Sequence, residues 1–137
     1  MSQVQVVASI YIQQIWESVE PYLSAGLKHS GGEYGIEHLK VFLIQGNQTL
    51  LVAVNEDNKI HGAASIEWIN YPNERVAYVV CIGGRLVTSK DIWQQFENWV
   101  KQNGGTMIRG ATYKEAARLW KRKFNVEERY IMVEKKI

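Results

Sequence analysis

Apolar positions recur at helical spacing at the start of the chain. Tyr11, Ile15, Val19 and Tyr22 form one stripe, which predicts a helix over residues 8–25 with Ser9 as its cap. Pro21 predicts a kink or break late in that helix, and Gly26 a stop. Beyond a polar loop at residues 29–33, a second helix is expected over residues 37–45. Ile36, Leu39, Leu43 and Ile44 would face inward and Gly46 would end it. The pattern then becomes strand-like. Thr49–Val54 (TLLVAV) and residues 60–69 flank a polar turn and read as an antiparallel hairpin, with Gly62 marking a bulge or close backbone approach. After another turn, residues 75–82 (RVAYVVCI) are apolar at nearly every position from Val76 onward, which predicts a strand buried on both faces.

Gly83 and Gly84 end that strand. Ser89 can cap a helix over Lys90–Gln102 whose inner stripe is Ile92, Phe96, Trp99 and Val100, with Trp93 beside it. A short strand at 106–110, a helix at 113–123 carrying Ala116, Ala117, Leu119 and Trp120, and a last strand at 128–136 complete the chain. The order α-α-β-β-β-α-β-α-β implies an α/β (mixed α+β) domain: a mixed, mainly antiparallel sheet flanked by helices, spanning residues 1–137 as one unit. A doubly wound nucleotide fold is excluded, because the turns joining the opening strands are too short for crossover helices.

Composition changes this picture little. Hydrophobic residues make up 46% and charged residues 22% of the 137, which excludes disorder for the bulk of the chain. One cysteine excludes an internal disulfide framework, and His29, His38, His61 and Cys81 show no metal-ligand spacing, so no metal is expected. No apolar run is long enough to span a membrane, and no secretory signal precedes Ala8. A cytoplasmic location is the expectation. The net charge of +2 does not argue for nucleic acid. Lys114, Arg118 and Arg122 do share one face of the last helix. That face suits a CoA phosphate, a nucleic-acid backbone, an acidic partner or plain solvation. Trp120 lies off the stripe, so nucleic acid is not favoured.

Two N-terminal helices before a meander, a long strand Val76 to Ile82 running through a glycine turn into an amphipathic helix, the strand TMIRG before AARLWKRKF, and the ending YIMVEKKI are similar to the GNAT (GCN5-related N-acetyltransferase) superfamily. Ala116, Leu119, Trp120 and Phe124 stand where that family often has A-x-x-L-Y followed by G-F. The fragments VEPYLSAGLKHSGGEYGIEHL, YPNERV and VCIGG resemble, more closely, small phage-encoded GNAT-like proteins.

The resemblance implies acetyl-CoA as cosubstrate and an amine as acceptor. It implies that Val80, Cys81, Ile82, Gly83, Gly84, Arg85, Ser89 and Lys90 bind the carrier, with the pyrophosphate on a glycine turn and helix N-terminus. The family's phosphate signature [Q/R]-x-x-G-x-[G/A] is not spelled by CIGGRLVTSKD, and tryptophan replaces the usual tyrosine acid. Glu67 is the candidate general base and Tyr113 the candidate acid; a solvated strand glutamate and a packing tyrosine are the plainer readings of each. The alternative is a non-catalytic GNAT-fold phage protein in virion structure, assembly or host interaction, located with the virion or acting on a host protein. Both readings need residues 76–110 to form a wedge whose strands part.

Overall fold

The computed structural model describes residues 2–137. Five strands lie side by side in chain order: β1 (Gln3–Val7), β2 (Thr49–Val54), β3 (Ile60–Asn70), β4 (Arg75–Gly84) and β5 (Met107–Gly110). The first four are antiparallel to their neighbours, and β5 joins β4 in parallel. Helices α1 (Ile12–Leu27) and α2 (Ile36–Gln45) cover one face of the sheet. Helices α4 (Lys90–Gln102) and α5 (Lys114–Phe124) cover the other, and one-turn α3 (Arg85–Thr88) links β4 to α4.

Burial on both faces explains why β2 shows no polar alternation. Leu50, Val52 and Val54 pack toward α1 and α2, while Leu51 and Ala53 pack toward α4. Two polar residues are buried beside β2, Gln48 just before it and Ser65 on β3, and the Ser65 hydroxyl donates to the Gln48 side-chain oxygen. The α4 side is aromatic. Trp93 stacks on Phe124 with centroids 4.3 Å apart and meets Phe96 edge-on at 5.2 Å.

The structure departs from the sequence expectations at both ends of the chain and in the N-terminal helices. Gln3–Val7 forms a strand where none was expected; it pairs with β2 along its whole length. Its outer edge is met by a side chain, since the Gln95 amide accepts the Val4 N–H at 2.8 Å and donates to the Ser2 carbonyl at 3.0 Å. The first helix starts at Ile12, after a 3-10 turn over Ser9–Tyr11, and Ser9 makes no capping bond. Its buried residues are Ile12, Trp16, Val19, Leu23 and Gly26, so most of the stripe is displaced by one position and Tyr11 is exposed. The helix runs on through Pro21, and Gly26 lies inside it. A Cβ at Gly26 would collide with the Ile82 carbonyl oxygen and sit 2.8 Å from Cys81 Sγ; the glycine lets α1 rest directly on β4. Ile44 faces solvent. Finally, residues 128–136 form no strand, and Tyr130, Ile131, Met132 and Val133 are exposed.

Candidate functional site: the parting of β4 and β5

The site begins with a bulge. On β3, Ser65 faces Cys81 while the next residue, Ile66, faces Val79, so Val80 is an extra residue on β4. The bulge turns both Val80 and Cys81 toward α1 and α2. Strand β5 pairs with β4 over four rungs, from Val76↔Met107 to Val79↔Gly110, and then leaves it. Beyond Val79, β4 keeps β3 on one side and, among the described residues, has no strand on the other. The wedge is therefore open from the bulge onward.

A cavity of about 560 Å³ fills the opening. This is within the range typical of small-molecule sites. Its walls are Val79–Ile82 from β4, residues 110–113 at and after the end of β5, Glu115, Ala116, Leu119, Trp120 and Lys123 from α5, and Gly26, His29 and Ser30 at the end of α1. Val87 and Thr88 of α3 also line it. The lining is chiefly apolar, with Glu115 as its one carboxylate and Lys123 as its one lysine.

Among the residues expected at the site, Val80, Cys81, Ile82 and Tyr113 border this cavity. Gly83, Gly84, Arg85, Ser89 and Lys90 do not. Gly83 presses on the Tyr22 carbonyl of α1. Gly84 takes φ +70°, and a Cβ there would lie 2.6 Å from the His61 carbonyl oxygen, so only glycine fits easily. Both glycines thus admit neighbouring protein backbone. The Ser89 hydroxyl accepts the Ile92 N–H at 3.3 Å and caps α4, while Lys90 is exposed as the first residue of that helix. Tyr113 is more than half exposed at the start of α5.

Glu67 lies outside the cavity. It pairs across the β3–β4 ladder with Tyr78. Its neighbours Ile66 and Trp68 pack on the α4 side, so Glu67 and Tyr78 share the α1/α2 side. Burial first, then the nearby Glu33, Tyr34, Tyr130 and Glu67, hold the Tyr78 phenol above its ordinary pKa, so it stays protonated. Burial pushes the Cys81 thiol up to about 12, and its Sγ donates to the Leu23 carbonyl at 2.9 Å; it is a packed thiol rather than a nucleophile. Burial, followed by the Arg85 charge, lowers the His61 pKa. His38 Nδ1 accepts the Gly35 N–H at 2.7 Å at the start of α2.

Two residues near the parting point, Tyr78 and Arg109, escaped the sequence reading. Alternation along RVAYVV was the available signal for Tyr78. Arg109 lay in a strand too short to show a pattern.

No family model matches the sequence, and no curated protein matches it. Solved structures do. An aminoglycoside acetyltransferase, meta-AAC0020, from an uncultured soil metagenomic sample in complex with sisomicin superimposes with a TM-score of 0.70 at 16% identity, covering 99% of this chain and 96% of that one. An aminoglycoside 6'-N-acetyltransferase from Acinetobacter baumannii gives 0.61 at 14% identity, covering 100% and 99%. A predicted acetyltransferase with acetyl-CoA from Clostridium acetobutylicum gives 0.64 at 13% identity, covering 99% and 96%. The fold is the GNAT fold.

Proposed function

We propose that this GNAT-fold chain is an acyl-CoA-dependent N-acetyltransferase, of the phage or prophage type that its sequence fragments resemble. The observation that carries the reading is the parting of β4 from β5 at Val79 and Gly110, with the cavity that follows it. An apolar channel bordered by strand backbone suits a pantetheine arm, which carries amides along an otherwise apolar chain. Backbone groups of Val80, Cys81 and Ile82 would hold that arm, and Lys123 would face a phosphate. Arg85 and Lys90 add exposed positive charge past the end of β4.

In this reading the acceptor nitrogen attacks the thioester carbonyl. A C–N bond forms, the C–S bond breaks, and the sulfur leaves with the bonding electrons. Glu67 takes the proton from the amine, and Tyr113, at the cavity edge, gives one to the CoA thiolate. The Trp120 indole N–H cannot do so, because it donates hydrogen bonds without losing its proton.

The test is thermal unfolding with acetyl-CoA. Ligand at about 100 times its dissociation constant adds roughly 2.7 kcal/mol to native stability, a rise of several degrees. No rise at about 1 mM acetyl-CoA, which is roughly that excess over a constant of about 10 μM, would remove the enzymatic reading.

A non-catalytic GNAT-fold phage protein, structural or host-directed, is the second reading. Gly83 and Gly84 favour it, since they pack on protein backbone; so does the indole of Trp120 in the cavity wall. Such a protein would ignore acetyl-CoA and co-purify with phage particles or a host protein.

A further inference from the structure

A second cavity, of about 360 Å³, lies beside the parting point on its other side. It is bounded by the β3–β4 turn with Tyr71 and Glu74, by Arg109 of β5, and by Arg129 and Tyr130. Arg109 is paired with Tyr78, one rung before the ladder ends at Val79↔Gly110. Ile108 and Ala77 pack on the α4 side, so Arg109 and Tyr78 share the α1/α2 side with Glu67. The first cavity runs forward from the last rung. The second runs backward from it.

The charges in this cavity do not balance. Two guanidinium groups border it, each near a tyrosine ring: Arg109 is 5.9 Å from the Tyr71 centroid and Arg129 5.4 Å from that of Tyr130. Glu74 is the one carboxylate, and Arg109 Nη2 holds it at 2.6 Å. Arg129 has no carboxylate within ion-pair distance among the described residues. The Arg109 Nε–H is buried with no acceptor among the described residues. Guanidinium donors are strongest against oxyanions, and a buried donor without an acceptor is costly. The sign reverses toward the sheet face, where Glu67 stands opposite Tyr78 and Glu33 adds negative charge. The surface thus offers a cationic pocket beside an anionic patch, next to the parting point.

We infer that this second cavity receives an acidic group of the acceptor, so that the substrate is an amine carrying its own carboxylate or phosphate. The inference rests on the N-acetyltransferase reading and specifies its acceptor. Arg109 and Arg129 bind the oxyanion; the ammonium end lies toward Glu67 and loses a proton before attack. A polycationic acceptor such as the sisomicin bound by one structural neighbour would set its charge against two guanidinium groups.

The test measures CoA thiol released from acetyl-CoA by the full chain. L-Glutamate, glycine and phosphoethanolamine are compared with glycinamide, ethanolamine and sisomicin. The acidic amines should show kcat/KM at least about tenfold above the others, and the carboxylate and phosphate arms separate the two oxyanions. Arg129→Gln, at an exposed position, should raise KM for the acidic amines about tenfold with kcat nearly unchanged, and leave glycinamide unaffected. Acetyl-CoA binding together with equal or better use of sisomicin or glycinamide would overturn the inference alone. So would an Arg129→Gln enzyme with unchanged KM. Absence of acetyl-CoA binding would overturn the enzymatic reading and this acceptor assignment with it. The pocket then stands as an oxyanion site if inorganic phosphate binds the wild type and at least about fivefold more weakly binds Arg129→Gln, and falls if it does not.

Discussion

Replacing Gly26 by alanine sets two effects of known size against each other. Within a helix interior, alanine is favoured over glycine by about 1 kcal/mol. Gly26 is buried in α1, so propensity alone predicts a gain. Packing predicts the reverse. The added Cβ would collide with the Ile82 carbonyl oxygen and lie 2.8 Å from Cys81 Sγ and 2.9 Å from the Ile82 carbonyl carbon. Two of those three atoms are backbone of β4, which is tied at Ile82 to Ala64 of β3 and cannot yield as a side-chain tip can. Overpacking of this kind costs about 1–3 kcal/mol, and the backbone partners place this case in the upper half of that range. The net expectation is a loss of roughly 1–2 kcal/mol, or about 3–8 °C in Tm for a domain of this size. Urea unfolding should show a lower midpoint with an unchanged slope. Gly46→Ala is the control, because nothing lies within 4 Å of its added Cβ and only its φ of +79° opposes the change. Gly26 also borders the larger cavity, so lifting α1 should shrink the acetyl-CoA-induced rise in Tm for Gly26→Ala and not for Gly46→Ala. A Gly26→Ala protein as stable as wild type or more so would refute the close seating of α1 on β4.

Ser89→Ala should cost about 1 kcal/mol by urea unfolding, since it removes the acceptor for the Ile92 N–H, and Ser89→Asp should restore most of it. Ser65→Ala should cost about 1–3 kcal/mol, because the buried Gln48 oxygen loses its donor, and a double Ser65→Ala, Gln48→Leu variant should recover part of the loss. The Cys81 thiol should react with Ellman's reagent far more slowly in the native protein than in urea at pH 8. Its raised native pKa gives a stabilisation that is full below the ordinary thiol value of 9.0 and is lost as pH rises toward about 12. Cys81→Ala should therefore flatten the alkaline fall in stability, as followed by urea midpoints between those two pH values.

Long periodic segments were legible in the sequence and short ones were not. Strand β2 and helix α4 have the expected bounds, and Ser89 caps as its hydroxyl and position imply. The long apolar run from Val76 was legible as a central strand, because burial on both faces requires a helical layer over each. Strand β1 was missed because QVQVV presents only two inward valines, Val4 and Val7, too few to stand out as a pattern. Residues 128–136 have the apolar content of a strand, yet strand content cannot by itself specify a partner edge. The glycine pair illustrates a deeper ambiguity. Sequence says that something approaches Gly83 and Gly84 closely, and not whether it is a phosphate or, as here, the carbonyls of Tyr22 and His61. Arg109 and Arg129 are twenty residues apart, and only the folded chain brings them to one cavity.

The amide of Gln95 has a consequence for how this protein behaves at high concentration. By accepting from Val4 and donating to Ser2, it counterfeits one rung of a sixth strand along the outer margin of β1. An incoming chain seeking to extend the sheet there finds hydrogen-bonding groups already engaged, in the way natural β proteins blunt exposed margins. Sheet growth from one molecule to another is thereby discouraged on the β1 flank, leaving the β5 flank as the more permissive side.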